Sequence, residues 1–352
     1  MISGHLTIVG TGHHVPGQPV PNSALTRVMN TNDAWIRKRT GIAQRHFAAP
    51  SEGPTDLAVP AAQRALADAG LSAQDVDYVI FATMTPETFI PGPGAMFTAK
   101  LGIPGVPALD IRQQCAAIPF ALQLADGLLR SGAANTILLL GAETHAHFMP
   151  WKNWAALLDE KAPIDERDYA RASEHRGYAV VFGDGAGAMV LQRAKEEGRG
   201  LLGTRLRSDG RDAGFLQMAA PWWQELEALT PDERFARLLP VMNGPGLFKR
   251  AVRELPQLVL KLCEDTGVAP EEISWFLAHQ ANERINEGVR QALNLPAEKM
   301  PTNIARYGNT SAGTIPILLD EQRRSGALRS GDLVCLLALG AGLHYGTSLL
   351  RL

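Results

Sequence analysis

Two stretches far apart in the chain echo one another, and that echo limits the folds open to it. Asp75-Val76-Asp77-Tyr78-Val79-Ile80-Phe81-Ala82 is answered by Glu272-Ile273-Ser274-Trp275-Phe276-Leu277-Ala278. Gly185-Ala186-Gly187 before Met189-Val190-Leu191 is answered by Gly340-Ala341-Gly342 before Ser348-Leu349-Leu350. In the first pair a polar lead gives way to a short apolar run, the signature of a strand covered on both faces by helices. The surrounding rhythm is β-α-β-α-β-β in each half, which predicts two similar layered α/β halves packed into one body. We place these halves at residues 1–205 and 206–352. At 352 residues the chain is long enough to bury such a body.

In the first half, strands are predicted at His5–Gly10, Val76–Thr83, Val106–Ile111, Asn135–Leu140, Tyr178–Phe182 and Gly187–Leu191. Helices are predicted over 23–29, after an Asn32-Asp33 cap, from Thr55-Asp56 to Gly70, and after Cys115. The second half shows a long helix from Pro245 to about Gly267, then a strand at Ile273–Ala278 and helices from Asn282 and Thr310. Strands at Asp332–Leu339 and Tyr345–Leu350 close it. Two irregular stretches, 143–176 and 208–246, interrupt the rhythm.

Composition narrows the class. Hydrophobic residues make up 45% and charged residues 20%, a globular balance. The net charge of −2 gives no reason to expect nucleic acid, and no apolar run reaches the ~18 residues of a membrane span. The three cysteines have no paired or ligand-like spacing, which predicts a reducing, cytoplasmic setting.

Chemistry concentrates at three places. Cys115 follows the Val106–Ile111 strand and precedes a segment with apolar residues at Ile118, Leu122, Ala125 and Leu129. Pro119 predicts that the helix begins within a turn of the cysteine, whose thiolate the positive helix end would favour. His279 stands at the end of an apolar strand, where ligands and catalytic groups gather in sheets of this kind. The third is the polar loop Arg306-Tyr307-Gly308-Asn309-Thr310-Ser311-Ala312-Gly313. Each also has a structural reading: a buried cysteine, a satisfied histidine and a helix cap.

Together these motifs resemble the β-ketoacyl-ACP synthase III family of the thiolase superfamily. The resemblance is carried by Trp35-Ile36-Arg37-Lys38-Arg39-Thr40-Gly41-Ile42, by Cys115, and by Phe182-Gly183-Asp184-Gly185-Ala186-Gly187-Ala188. His279-Gln280-Ala281-Asn282 and Gly308-Asn309-Thr310-Ser311-Ala312 complete it, in the family's order from end to end.

The resemblance implies a five-layer αβαβα fold, usually dimeric, with Cys115, His279 and Asn309 as the catalytic triad. It implies condensation of an acyl-CoA primer, carried on Cys115, with a malonyl thioester, the step that initiates fatty acid synthesis. Acyl-CoA and malonyl thioester are then substrates, and no resident cofactor or metal is implied. His279 Nε2 and the Asn309 amide would meet the thioester oxygen as enolate charge develops. The Cys115 amide and the Gly340-Ala341-Gly342 turn would form the acyl-transfer oxyanion hole. For coenzyme A the resemblance points to Trp35 and Arg176 flanking the adenine, Arg39 near the phosphates and Asn282 on the pantetheine. Lys249, Arg250 and Arg284 are candidates for docking an acidic acyl carrier protein.

Some features depart from the family. The 143–176 and 208–246 segments are longer than usual, and each adds a Trp pair (Trp151 and Trp154; Trp222 and Trp223) expected near the tunnel mouth. Ile90 falls where the family often has an aromatic residue lining the acyl pocket from the partner subunit, which would admit a longer or branched primer. Three other readings follow from these departures and from the histidines: a sister enzyme of secondary metabolism acting on an unusual acyl-CoA, a metal-dependent hydrolase using His145, His147 and His175, and a non-catalytic binding protein.

Overall fold

The apolar runs pair as two sheets of matching order. The computed structural model of the chain describes residues 5–218 and 223–352, without the side chains of 223 and 224. In the first half the elements that shape the site are β1 (Leu6–His14), α1 (Asp33–Thr40), α2 (Pro54–Ala69), β2 (Tyr78–Ala82) and α3 (Pro93–Leu101). They continue as β3 (Ala108–Ile111), α4 (Ala117–Ser131), β4 (Ile137–Glu143) and β5 (Gly185–Arg193). The second half contributes β6 (Gly200–Ser208), α5 (Gly244–Thr266), β7 (Trp275–Ala278), α6 (Glu283–Ala292), α7 (Thr314–Arg324), β8 (Leu333–Gly340) and β9 (His344–Arg351).

The first sheet runs β1-β5-β4-β2-β3 and the second β6-β9-β8-β7, the same order without the fifth strand. β2 is parallel to β3 and β4, and β7 to β8, while the other neighbours are antiparallel. The duplication expected from the sequence is therefore present in the topology.

α4 and α7 lie between the two sheets. Ile118, Leu122 and Leu129 of α4 and Ile315, Leu318 and Leu319 of α7 share one core with Ile80, Leu139 and Met189 of the first sheet and Leu277, Val334 and Leu336 of the second. Each such side chain contributes roughly 1.5–3 kcal/mol on burial. The four α4 positions picked out by helical spacing, Ile118, Leu122, Ala125 and Leu129, are all buried. α2 covers the outer face of the first sheet and α5 that of the second, giving α-β-α-β-α layers.

Some local expectations fail for identifiable reasons. β6 carries no strand signal in the sequence because it is a half-exposed edge strand with little apolar pattern. It pairs with β9, so it spans the expected 205/206 division and belongs to the second sheet. Tyr178–Phe182 is no strand; Arg176–Ala179 forms a helical turn and the run packs into a satellite core. A short buried apolar run does not tell a strand from a buried turn.

That satellite core joins the irregular stretches. Trp151, Tyr178 and Phe182 pack there with Ile36, Phe47 and Leu239. Trp151 and Trp154 stack edgewise on each other, ring centres 5.4 Å apart, and on Phe47. They are core residues and line no cavity at the site, contrary to the sequence expectation. Trp222 and the side chain of Trp223 lie outside the described residues.

Candidate active site

The turn between β3 and α4 presents the cysteine. Gln114 has left-handed φ of 51°, and Gln114–Ala116 form a 3₁₀ turn that runs into α4 at Ala117. The Cys115 side chain thus sits at the positive end of a buried helix. Gly340, from the end of β8, packs directly on this turn. A Cβ there would lie 2.7 Å from the Gln113 carbonyl oxygen and 3.0 Å from the Cys115 nitrogen, so only glycine fits.

The second half brings its residues to the same place. His279 follows the last residue of β7, and its amide donates to the Leu337 carbonyl at 2.8 Å. Asn309 is held between halves: its amide donates to the Val181 carbonyl at 2.9 Å, and its carbonyl accepts from the Gly183 amide at 3.1 Å. A Cβ on Gly183 would fall 2.3 Å from the Tyr307 carbonyl oxygen, which explains the glycine in that motif.

Cys115, His279 and Asn309 are all buried and all line one cavity of about 600 Å³. Its walls are mainly apolar, with Phe182, Leu247, Phe248 and Leu339 among them, and Gly340 and Ala341 close it beside the cysteine. Trp35, Arg39, Lys249, Asn282 and Arg284 also line it. Leu216 and Met242 bring the 208–246 stretch into its wall.

Hydrogen bonds orient the three groups. Cys115 Sγ is 3.2 Å from Ser311 Oγ. His279 Nδ1 is 2.7 Å from Thr314 Oγ1, leaving Nε2 for other partners. Asn309 Oδ1 accepts from the Ser311 amide at 2.7 Å, leaving the Nδ2 hydrogens as donors.

Electrostatics are dominated by burial. It pushes the Cys115 thiol up to about 12, opposed first by the Ser311 hydroxyl. Burial, with His145 nearby, pushes His279 down to about 3, so the ring is neutral near pH 7. Behind the loop, the fully buried Glu143 accepts from Thr83 Oγ1, Thr85 Oγ1 and the Met84 amide, and burial raises its carboxyl to about 7.

The other expected residues have partners of their own. The Arg39 and Arg176 guanidinium carbons stand 4.3 and 4.7 Å from the Trp35 ring centre, and Arg176 Nη1 donates to the Asn30 carbonyl at 2.7 Å. The slot between Trp35 and Arg176 is thus closed rather than open for a base. Both ends of the Asn282 amide are engaged, Oδ1 with the Arg284 amide and Nδ2 with the Arg39 carbonyl, each at 2.9 Å. Asn282 therefore latches α1 to α6. Ile90 is 90% exposed, as a residue that meets a partner subunit would be, and Arg250 is paired with Asp212 at 2.6 Å. Gly342 packs against the His344 ring rather than on the cavity.

His145, His147 and His175 do not converge. His145 Nδ1 bonds the Gly183 carbonyl, His147 Nε2 the Glu52 carbonyl, and His175 packs on Tyr178. Among the described residues, no group of three His, Cys, Asp or Glu side chains is placed to hold a metal ion. Ser311, Thr314 and Glu143 were not singled out from the sequence. The first two lay in or beside a loop already noted, and only the fold shows what they touch.

A duplicated αβαβα body with a cysteine at the head of its central helix, facing histidine and asparagine from the other half, defines the thiolase-like class. Two sequence models described as 3-oxoacyl-[acyl-carrier-protein (ACP)] synthase III and its C-terminal part match residues 109–159 with 164–210, and 263–352. The beta-ketoacyl-[acyl-carrier-protein] synthase III of Paracoccus denitrificans is 38% identical over 346 residues, covering 97% of this chain and 98% of the relative. That of Rhodobacter capsulatus is 37% identical, covering 97% of each. The crystal structure of 3-oxoacyl-[acyl-carrier-protein] synthase III from Aquifex aeolicus superposes with a TM-score of 0.85 at 35% identity, over 99% of this chain and 100% of that one. The chain belongs to the beta-ketoacyl-[acyl-carrier-protein] synthase III family.

Proposed function

We propose that the chain condenses an acyl-CoA primer with malonyl-acyl carrier protein, releasing coenzyme A and CO2, as the opening step of fatty acid synthesis. The observation that carries this reading is the convergence of Cys115, His279 and Asn309 on one apolar cavity. A cysteine at a positive helix end is suited to attack a thioester, and an apolar tunnel is suited to a pantetheine arm and acyl chain.

In the first half-reaction the Cys115 thiolate forms a bond to the acyl carbonyl, and the carbon–sulfur bond to coenzyme A breaks. The departing thiolate takes up a proton. The Cys115 amide and a backbone amide of the Gly340-Ala341 turn, which lines the cavity with Cys115, are suited to the oxyanion. In the second, malonyl thioester loses CO2 and the bonding pair becomes an enolate. Asn309 Nδ2 is one donor for its oxygen. His279 Nε2–H is the other, in the ring tautomer for which the Thr314 hydroxyl donates to Nδ1. The enolate carbon then attacks the acyl-cysteine carbonyl, and Cys115 leaves as thiolate and is reprotonated.

Lys249 and Arg284 at the mouth suit an acidic carrier protein, and Trp35, Arg39 and Arg176 a nucleotide. We assign a homodimer on the exposed edge strand β3, with Leu109 outward, and the neighbouring loop, where Phe89 is 77% and Ile90 90% exposed. We place the enzyme in the cytoplasm on its three free buried cysteines; no helix among the described residues is long and apolar enough to cross a membrane. Incubation with acyl-CoA and malonyl-acyl carrier protein tests the reaction: 3-oxoacyl product and CO2 are expected in equal amounts, and CO2 release independent of acyl-CoA would count against it.

A further inference from the structure

Ser311 is fully buried two residues beyond Asn309, and Thr314 is 2% exposed one turn later. Their polar groups reach all three members of the site. Ser311 Oγ lies 3.2 Å from Cys115 Sγ, and the Ser311 amide donates to Asn309 Oδ1 at 2.7 Å. Thr314 Oγ1 lies 2.9 Å from the Ser311 carbonyl and 2.7 Å from His279 Nδ1; its one hydrogen serves one of them at a time, Nδ1 when the ring carries its proton on Nε2. One loop thus links the cysteine of the first half to the asparagine and histidine of the second.

The conformation is held in place. Ser311 has φ of 48°, left-handed for a residue that is not glycine, and such backbone persists only where the surroundings fix it. Here Glu143 at the end of β4 accepts from the next amide, that of Ala312, at 3.4 Å and from the Met84 amide at 3.0 Å. Ser311 Oγ is also 3.3 Å from Met84 Sδ, a second acceptor for its hydrogen. While Cys115 is a thiol its S–H donates to Ser311 Oγ; once the sulfur is charged, the hydroxyl hydrogen turns from Met84 to Cys115.

We propose that Ser311 and Thr314 are paired positioning residues, Ser311 serving the Cys115 sulfur and the Asn309 amide, and Thr314 the His279 ring. The hydroxyl of Ser311 stabilises the thiolate during acyl transfer. That of Thr314 grips Nδ1 and leaves Nε2 to the second substrate. Around the sulfur, Glu143 opposes the thiolate and the positive end of α4 favours it, and His145, itself held neutral by burial, is the titratable neighbour of His279. Among the described residues, Ser311 is the side chain hydrogen-bonded to Cys115.

The inference rests on the condensing reaction proposed above, so its test includes a readout that needs no substrate: the pH profile of Cys115 alkylation by iodoacetamide. Ser311→Ala keeps both backbone bonds and removes the hydroxyl. It is expected to move the alkylation profile to higher pH and to slow acyl transfer about tenfold or more, the scale of one hydrogen bond to a charge. CO2 release by enzyme already acylated should fall by a clearly smaller factor. Thr314→Val should do the reverse, leaving the alkylation profile in place while CO2 release falls, with Thr314→Ser restoring it. An unmoved profile in Ser311→Ala overturns the inference, as does equal loss of both half-reactions in the two variants. If the profile moves but the wild type takes no acyl group from coenzyme A, the reaction reading fails and the role of Ser311 stands.

Discussion

The Ser311 amide donates to Asn309 Oδ1 at 2.7 Å, and this bond decides which end of the Asn309 side chain remains for a substrate. With the oxygen engaged, Nδ2 is left as donor. Asn309→Asp keeps the shape and the Ser311 bond but replaces that donor with an acceptor. Release of CO2 from malonyl thioester is expected to fall about 10²–10³-fold, the usual loss for one oxyanion donor, while Cys115 still takes up the acyl group. Separate assays of the two half-reactions check this; normal condensation by the variant would remove Asn309 from the mechanism.

Gly340 tests the other oxyanion site. A methyl group there meets backbone atoms on three sides, the Gln113 oxygen and the Ala116 and Cys115 nitrogens, none of which can swing away. Gly340→Ala is expected to lower the melting temperature and to slow acyl transfer more than a core Ala insertion elsewhere of equal stability loss. Unchanged acylation at unchanged stability would show that the turn does not press on Cys115.

At the mouth, Arg176 sits 4.7 Å from the Trp35 ring centre. A base stacked on that face needs about 3.5 Å of its own, so coenzyme A entering there must displace the guanidinium. Trp35 emission should then change saturably on titration with coenzyme A. Trp35→Ala should raise KM for acyl-CoA by a larger factor than it lowers kcat, since stacking on one base is worth roughly 1–3 kcal/mol of binding. A kcat effect without a KM effect would place Trp35 in the core instead.

The buried acids and histidines pull stability in opposite directions with pH. His279 and His145 are held down to about 3 and about 4 by burial, below the ordinary 6.5. The unfolded chain therefore binds protons first, and the stability they contribute is full above pH 6.5 and lost as pH falls. Glu143 is raised to about 7 from 4.5, so its contribution is full below 4.5 and lost as pH rises to 7. The stability of the wild type relative to Glu143→Gln should therefore decline between pH 5 and pH 8, as measured by urea unfolding. A relative gain over that interval would mean that the Thr83, Thr85 and Met84 donors outweigh desolvation.

Much of this was legible in the sequence, for physical reasons. The two-sheet body follows from buried strands that repeat in both halves; residue type and strand ends made Cys115 and His279 candidates, and the family resemblance joined them with Asn309. What the sequence could not show is which neighbours a side chain would find. Asn282 reads as a polar residue free to meet pantetheine, yet the fold commits both ends of its amide to Arg284 and Arg39. Trp151 and Trp154 read as additions to a tunnel mouth and prove to be packing against Phe47. β6 escaped because an exposed edge strand leaves little hydrophobic pattern, and Ser311 because nothing in a sequence marks a left-handed serine.

The most direct test of the whole account is the mass of Cys115 after incubation with a panel of acyl-CoA thioesters. The account predicts that at least one acyl group appears on the peptide holding Cys115, with coenzyme A released in equal amount, and that Cys115→Ala acquires none. Acylation at another residue, or undiminished acylation of Cys115→Ala, would contradict it.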